Sequence, residues 1–159
     1  MIIFVNGSIN SGKTTVAKLL QKALPNTALL EIDALREMVS WMPLEDSIPL
    51  NLSNAVSVIT NSVRAGLNVV VPYPLSQSNH EYLKRSLETL GTDMYFFTLA
   101  PSLETALSNR GKRVLTENEK ERIAHHYRIG IPNPSFGEII DTANQTPTMT
   151  ANLILNKIK

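Results

Sequence analysis

Ile2-Ile3-Phe4-Val5-Asn6-Gly7-Ser8-Ile9-Asn10-Ser11-Gly12-Lys13-Thr14 is the stretch on which the reading of the fold turns. Ile2 to Asn6 is a continuous apolar run, the pattern of a strand covered on both faces. Gly7 to Thr14 fits G-x-x-x-x-G-K-[ST] without a mismatch. The four fixed positions coincide by chance in roughly one chain of this length in a few hundred, and here they stand between a strand and a helical pattern. The residue types suit a phosphate chain. Glycines let the backbone fold around it with no Cβ in the way, and successive N–H groups make an anion nest. A helix beginning near Lys13 adds the positive end of its dipole. Gly7, Ser8, Ile9, Asn10, Ser11, Gly12, Lys13, Thr14 and Thr15 are therefore expected to hold a nucleotide's phosphates. Lys13 would reach the β- and γ-phosphates, and the Thr14 hydroxyl would ligate Mg²⁺.

Outward from this stretch, short apolar runs alternate with segments of helical period. Val16, Leu19, Leu20, Ala23 and Leu24 mark a helix stopped by Pro25. Ala28 to Ile32 reads as a strand and Ala34 to about Met42 as a helix. Residues 43–51, with Pro43 and Pro49, read as a loop, and Leu52 to Ala65 as a helix ended by Gly66. Leu67 to Tyr73 is a strong strand signal, closed by Pro72, which cannot donate to a central ladder. Ser78-Asn79-His80-Glu81 has the spacing of a capping box and predicts a helix to about Leu90, with His80 exposed. Met94 to Ala100 predicts a strand and Ser102 opens a helix. A second capping box, Thr116 to Glu119, leads a helix through Ile123 and Tyr127. A short strand at Glu138 to Ile140 and a helix from about Thr148 follow. Strands separated by helices imply a parallel sheet with helices on both faces, a three-layer α/β domain.

The composition is consistent with one domain over residues 1–159: 43% apolar and 18% charged residues can bury an ordinary core. No cysteine means no disulfide framework, no thiolate metal site and no cysteine nucleophile. Fifteen basic and fourteen acidic residues, net charge +1, make no global case for nucleic acid or membrane. The N-terminus lacks a basic leader, no apolar run reaches the length of a spanning helix, and a cytoplasmic location is expected.

Nucleotide binding is not yet an activity. The Asp-x-x-Gly and Asn-Lys-x-Asp signatures of switch GTPases are missing. Phosphoryl transfer needs a group at the acceptor hydroxyl to orient it and take its proton. Asp33 is expected where the second strand ends, the place where ligands gather in open α/β sheets; a second role as N-cap of the helix that follows is compatible with this one. Arg36, three residues on, would hold an anionic group of the substrate, restrain the carboxylate, or pair with a surface acid. Charge over the leaving phosphate is expected from Arg110 and Arg113, in a small basic lid over residues 110–128 with Gly111 as hinge. Lys120 and Arg122, interleaved with glutamates, read as a solvated helix face. Trp41 is a candidate wall of an acceptor pocket within residues 34–66. His125 and His126 point about 100° apart on a helix and cannot share a metal. Asn144 and Gln145, after the last strand, are weak adenine candidates.

The loop, Asp33 and the Arg110/Arg113 segment together resemble the nucleoside-monophosphate-kinase-like group of small P-loop kinases, which includes shikimate and gluconate kinases, chloramphenicol phosphotransferase and zeta-type toxins. The chain is also similar to the tunicamycin-resistance ATP-binding proteins. This likeness is carried by Ile2 to Gly7, by Val69-Val70-Val71-Pro72 with His80-Glu81-Tyr82, and by Phe97-Thr98-Leu99-Ala100 through Glu104-Thr105 to Arg110. The resemblance implies a P-loop NTPase fold with a five-stranded sheet of order 2-3-1-4-5, ATP and Mg²⁺. One departure is that the strand ending in Pro72-Tyr73-Pro74 lacks the Walker B acid of many such enzymes, so Asp33 would also serve the magnesium shell through water. The expectation is a kinase acting on a hydroxyl of a small molecule, an antibiotic or nucleoside-like compound, with Lys13, Asp33, Arg110 and Arg113 catalytic and Asp33, Arg36 and Trp41 meeting the acceptor. The rival is a nucleotide-binding protein that sequesters a ligand or regulates a partner.

Overall fold

The computed structural model describes residues 1–108 and 114–158. In chain order it forms β1 (Ile2–Asn6), α1 (Lys13–Ala23), β2 (Thr27–Leu29), α2 (Ile32–Arg36), α3 (Leu44–Arg64), β3 (Asn68–Pro72), α4 (Gln77–Leu87), β4 (Met94–Leu99), α5 (Leu103–Leu107), α6 (Glu117–Arg128), β5 (Glu138–Ile140) and α7 (Pro147–Lys157). The sheet runs β2-β3-β1-β4-β5 with every pairing parallel, the order the resemblance implied.

Alternation along β1 sets the layers. Ile2 and Phe4 face one side, where Leu52, Ala55 and Ile59 of α3 and Leu83 and Leu87 of α4 cover them. Ile3 and Val5 face the other, under Val16, Ala17 and Leu20 of α1 and Ala151 and Ile154 of α7. These four side chains are fully buried, as a strand with helices on both faces requires. A smaller cluster of Ala106, Leu115 and Ile123 joins α5 to α6. Among the described residues no helix is long and apolar enough to cross a membrane.

Several boundaries differ from those the sequence predicts. The loop expected over 43–51 is the start of α3, which runs through Pro49. A proline inside a helix costs about 3 kcal/mol, but burial of Leu52 and Ile59 contributes about 1.5–3 kcal/mol each, and the rest of the buried face adds to that. The strand expected to Ile32 stops at Leu29, and the helix expected over 34–42 is the single short turn α2. Beyond it Glu37, Met38 and Val39 make successive bonds to carbonyls three residues back. Met38 and Trp41 are exposed, so no buried stripe sustains a longer helix there. Asp33 thus lies in the first turn of α2 rather than at a strand end, and Glu31, not Asp33, holds the N-cap position. The cap of α4 is Ser76, whose Oγ accepts from Asn79 N at 3.2 Å, in place of the expected Ser78 box; Glu81 instead accepts from Gln77. His80, expected at the surface, is buried and stacks on Phe136 with centroids 3.8 Å apart. The Thr116–Glu119 capping box forms as read.

Gly137, just before β5, has φ +66°, and a Cβ there would overlap the Phe96 carbonyl oxygen. Gly137→Ala is expected to lower the unfolding free energy by about 2–4 kcal/mol, seen as a lower urea midpoint at unchanged slope.

Candidate active site

The site begins with a polar residue in an apolar strand. Asn6 is fully buried at the carboxyl end of β1. Its Oδ1 accepts from the N–H groups of Gly7 and Leu75, both at 2.7 Å, and its Nδ2 donates to Thr98 Oγ1 at 2.9 Å and to the Ile131 carbonyl at 3.2 Å. Both donors and both acceptor directions of the amide are used. One side chain therefore ties together the phosphate loop, the segment after β3, β4 and the chain beyond α6.

The loop that follows suits an anion. Gly7 has φ +148°, and a Cβ on it would come within 2.5 Å of Ser11 Oγ and 2.9 Å of the Leu99 carbonyl oxygen, so only glycine lets the backbone turn here. Gly12 occupies the N-cap of α1, no side chain caps that helix, and its first turn holds no acid; the dipole's positive end is left to a ligand. Ser11 Oγ is buried with no hydrogen-bond partner among the described residues. Asn10, at φ +63°, donates through Nδ2 to the carbonyls of Ala106 and Ser108, both at 2.9 Å. Lys13 Nζ donates to the Ser8 carbonyl at 3.1 Å. A cradle closed to any Cβ, an open helix start and an orphaned hydroxyl fit a phosphate chain.

Two cavities meet at this loop. A cleft of about 1260 Å³ is walled by Ile9, Asn10, Lys13 and Thr14 of the loop, by Asp33 and Arg36 of α2, by Trp41 and Met42, by the start of α3, by Pro72 to Pro74, and by Arg122, His125 and His126 of α6. A second cavity of about 360 Å³ shares Asn10, Lys13 and Thr14 and adds Ser11, Gly12, Thr15, Thr142, Gln145 and Thr150. Asp33 and the loop, 20 positions apart between Lys13 and Asp33, thus open onto one space. Tyr73 on its floor is pushed up to about 12, first by burial and then by the negative charge of Asp33, with Arg122 opposing. Its phenol keeps its proton, and Asp33 and Arg122 are both near enough to act on it.

Of the residues singled out by sequence, Ile9, Asn10, Lys13, Thr14, Asp33, Arg36 and Trp41 line the cleft, and Ser11, Gly12 and Thr15 line the second cavity. Gly7 and Ser8 lie buried beneath the loop. Gln145 reaches the second cavity; Asn144 does not line it. Arg110, Arg113 and Gly111 lie outside the described residues. Lys120 pairs with Glu117 at 2.7 Å on the solvated face as expected, whereas Arg122 turns to the cleft. Among the described residues no three His, Asp or Glu side chains gather as a metal site, which leaves Thr14 as the loop's candidate ligand for a cation held mainly by phosphate and water. Sequence reasoning missed Asn6, Tyr73 and His126. An amide ending an apolar run is a visible signal for Asn6; His126 carries none, because its partner Ser8 is 118 positions away.

A central strand, an anion-binding loop after it and a carboxylate across the cleft, on a parallel sheet of this order, define a kinase-like P-loop fold. The chain belongs to the chloramphenicol phosphotransferase-like family, whose model matches residues 1–159. No curated protein matches it in sequence. Among solved structures it is similar to the tunicamycin resistance protein of Deinococcus radiodurans, with TM-score 0.70 and 23% identity over 99% of this chain and 94% of that one. A sugar kinase from Janibacter sp. HTCC2649 superposes with TM-score 0.73 at 18% identity, covering 99% and 93%. The APS kinase of Mycobacterium tuberculosis gives 0.69 at 17% identity, covering 99% and 95%. At these identities the likeness is one of fold.

Two measurements check the site's physics. Asn6→Asp replaces two donors by an anion facing the Ile131 carbonyl and is expected to cost about 2–5 kcal/mol in denaturant titration. His126 is pushed down to about 4, chiefly by burial and then by Arg122, Lys13 and His125; His80 is lowered too, chiefly by burial. An unfolded histidine titrates near about 6.5, so on acidification the unfolded chain takes up protons first. The stability that a neutral His126 contributes is full above about pH 6.5 and lost on the way down to the folded value. Between about pH 7 and pH 5 the wild type should lose more stability than His126→Phe.

Proposed function

We propose that this protein is an ATP-dependent phosphotransferase that moves the γ-phosphate of Mg·ATP to a hydroxyl of a small molecule. The observation that carries the reading is the shared cleft: Lys13 and Thr14 on one wall, Asp33 on another. Mg·ATP, when bound, supplies the phosphoryl group. The loop amides and Lys13 hold its phosphates, Thr14 meets the metal, and the second cavity, with Thr142 and Gln145, offers room for the base. Asp33 accepts a hydrogen bond from the acceptor hydroxyl and takes its proton as the bond to phosphorus forms, then returns it to solvent through its own exposed position. Arg110 and Arg113 complete the positive charge over the leaving phosphate.

The cleft wall speaks to the acceptor. Trp41 is 79% exposed beside Met42, Leu44 and Leu50, an aromatic and aliphatic surface suited to a ring or chain. Among its described lining residues Glu31, Asp33, Glu37, Glu119 and Glu121 face Lys13, Arg36 and Arg122. That balance disfavours a polyanionic acceptor and supports an uncharged one, of the antibiotic or nucleoside-like kind that the family description and the tunicamycin resistance protein bring to mind.

A second reading, a nucleotide-binding protein that sequesters a ligand or regulates a partner with little turnover, is favoured by the absence of an acid in Pro72-Tyr73-Pro74 at the end of β3. ADP release with and without a panel of hydroxylated acceptors (chloramphenicol, tunicamycin, nucleosides, sugars) separates the two. For the kinase, one acceptor raises turnover, Asp33→Asn lowers kcat by about 10²–10⁴-fold at nearly unchanged ATP affinity, and Trp41→Ala raises the acceptor KM alone. Tight ATP binding that no acceptor accelerates and that Asp33→Asn leaves untouched would sink it.

A further inference from the structure

Ser8, fully buried at the base of the loop, meets His126 of α6 with Oγ 3.2 Å from Nδ1. The imidazole is itself only 8% exposed, yet it belongs to the wall of the cleft that contains Lys13. Its backbone is held in turn: the Ile131 N–H donates to the His126 carbonyl at 3.0 Å, and the Ile131 carbonyl accepts from Asn6 at 3.2 Å. The ring is therefore fixed from both its side chain and its main chain against the loop that would carry phosphate.

We propose that His126 is a phosphate-binding residue: the Ser8 hydroxyl donates to Nδ1, and the ring's other nitrogen, as Nε2–H, donates to an oxygen of the nucleotide's terminal phosphates. A neutral imidazole has one donor and one acceptor nitrogen. A buried serine hydroxyl that fills the Nδ1 acceptor leaves the proton on Nε2, the nitrogen across the ring from Ser8. The charged surroundings suit that use. Arg122, Lys13 and His125 are the groups whose charge acts on the ring, and all are basic. Bases gathered beside a neutral ring repel one another's charge and are favoured when an anion enters among them. His80, by contrast, is held by the rings of Phe96 and Phe136 and has no hydroxyl of the loop against it.

The inference rests on the nucleotide binding proposed above, and its test keeps the two apart. The probe is Mg·ADP added to the full chain labelled with ¹⁵N-histidine, followed by long-range ¹H–¹⁵N spectra and by calorimetric titration. The expected result is the Nε2–H tautomer for His126 in the free protein, a shifted Nε2 resonance at saturation, and an apparent pKa that rises toward the ordinary histidine range once the phosphates are in place. Three substitutions divide the ring's two contacts. His126→Asn keeps a group near the Nδ1 position, His126→Gln keeps a donor near Nε2, and His126→Phe keeps neither. Asn and Phe should weaken Mg·ADP by about ten- to a hundredfold, the loss for a hydrogen bond to a charged group, while Gln recovers most of the affinity. Mg·ADP that shifts the Gly12 and Lys13 amides but leaves the His126 Nε2 resonance and pKa in place overturns the proposal, as does wild-type affinity in His126→Asn. The spectral arm decides even where His126→Phe fails to fold. Failure of the wild type to bind Mg·ADP at all removes the nucleotide reading, and this inference with it.

Discussion

A single buried amide organises the carboxyl end of the sheet. Asn6 leaves no hydrogen-bonding capacity unused, and its four partners belong to four segments far apart in sequence: Gly7, Leu75, Thr98 and Ile131. In a low-dielectric interior an amide with all four bonds made is rigid, and one with any bond missing is costly. The phosphate loop therefore leaves β1 in a fixed direction, and the segments after β3, β4 and α6 are brought to the same edge. The cleft exists because these chain segments share that anchor.

The same geometry explains how chemistry is divided around the cleft. Main-chain amides and the start of α1 offer neutral, pre-oriented donors where a phosphate chain is expected, and Lys13 rests on the Ser8 carbonyl at the rim of this cradle. Asp33 lines the same space from a short helix, close enough to act electrostatically on Tyr73. The bases of α6 approach from a third side. Acids and bases are mixed on these walls: α2 brings Asp33 and Arg36, and α6 brings Glu119, Glu121 and Arg122, so the cleft as a whole stays close to charge balance.

Much of this was legible in the chain. Unbroken apolar strands, a glycine-lysine turn and helical periods between them led to a parallel sheet, and the resemblance to small P-loop kinases supplied its order. The elements misjudged share one cause. Pro49 and its neighbours read as a loop because local propensity opposes a helix, yet α3 packs its apolar stripe against β1 and β3 and keeps the helix intact. Residues 37–42 read as helix because their pattern is periodic, but they meet no wall, and Met38 and Trp41 remain exposed. His80 lay within a capping-type sequence, and aromatic neighbours from β4 and the chain before β5 buried it.

Sequence alone established the layered α/β architecture and the anion-binding loop, because both arise from local rules: two-residue alternation and apolar runs, helical period, and glycines at positions no Cβ can occupy. Long-range folding settled everything that depends on residues meeting across the chain. It turned Arg122 and His126 into the cleft, brought Asp33 and Lys13 to the same space, and made Asn6 the anchor of four segments. Those contacts are governed by distance in space and by burial, and neither quantity is written in the spacing of residues along a chain.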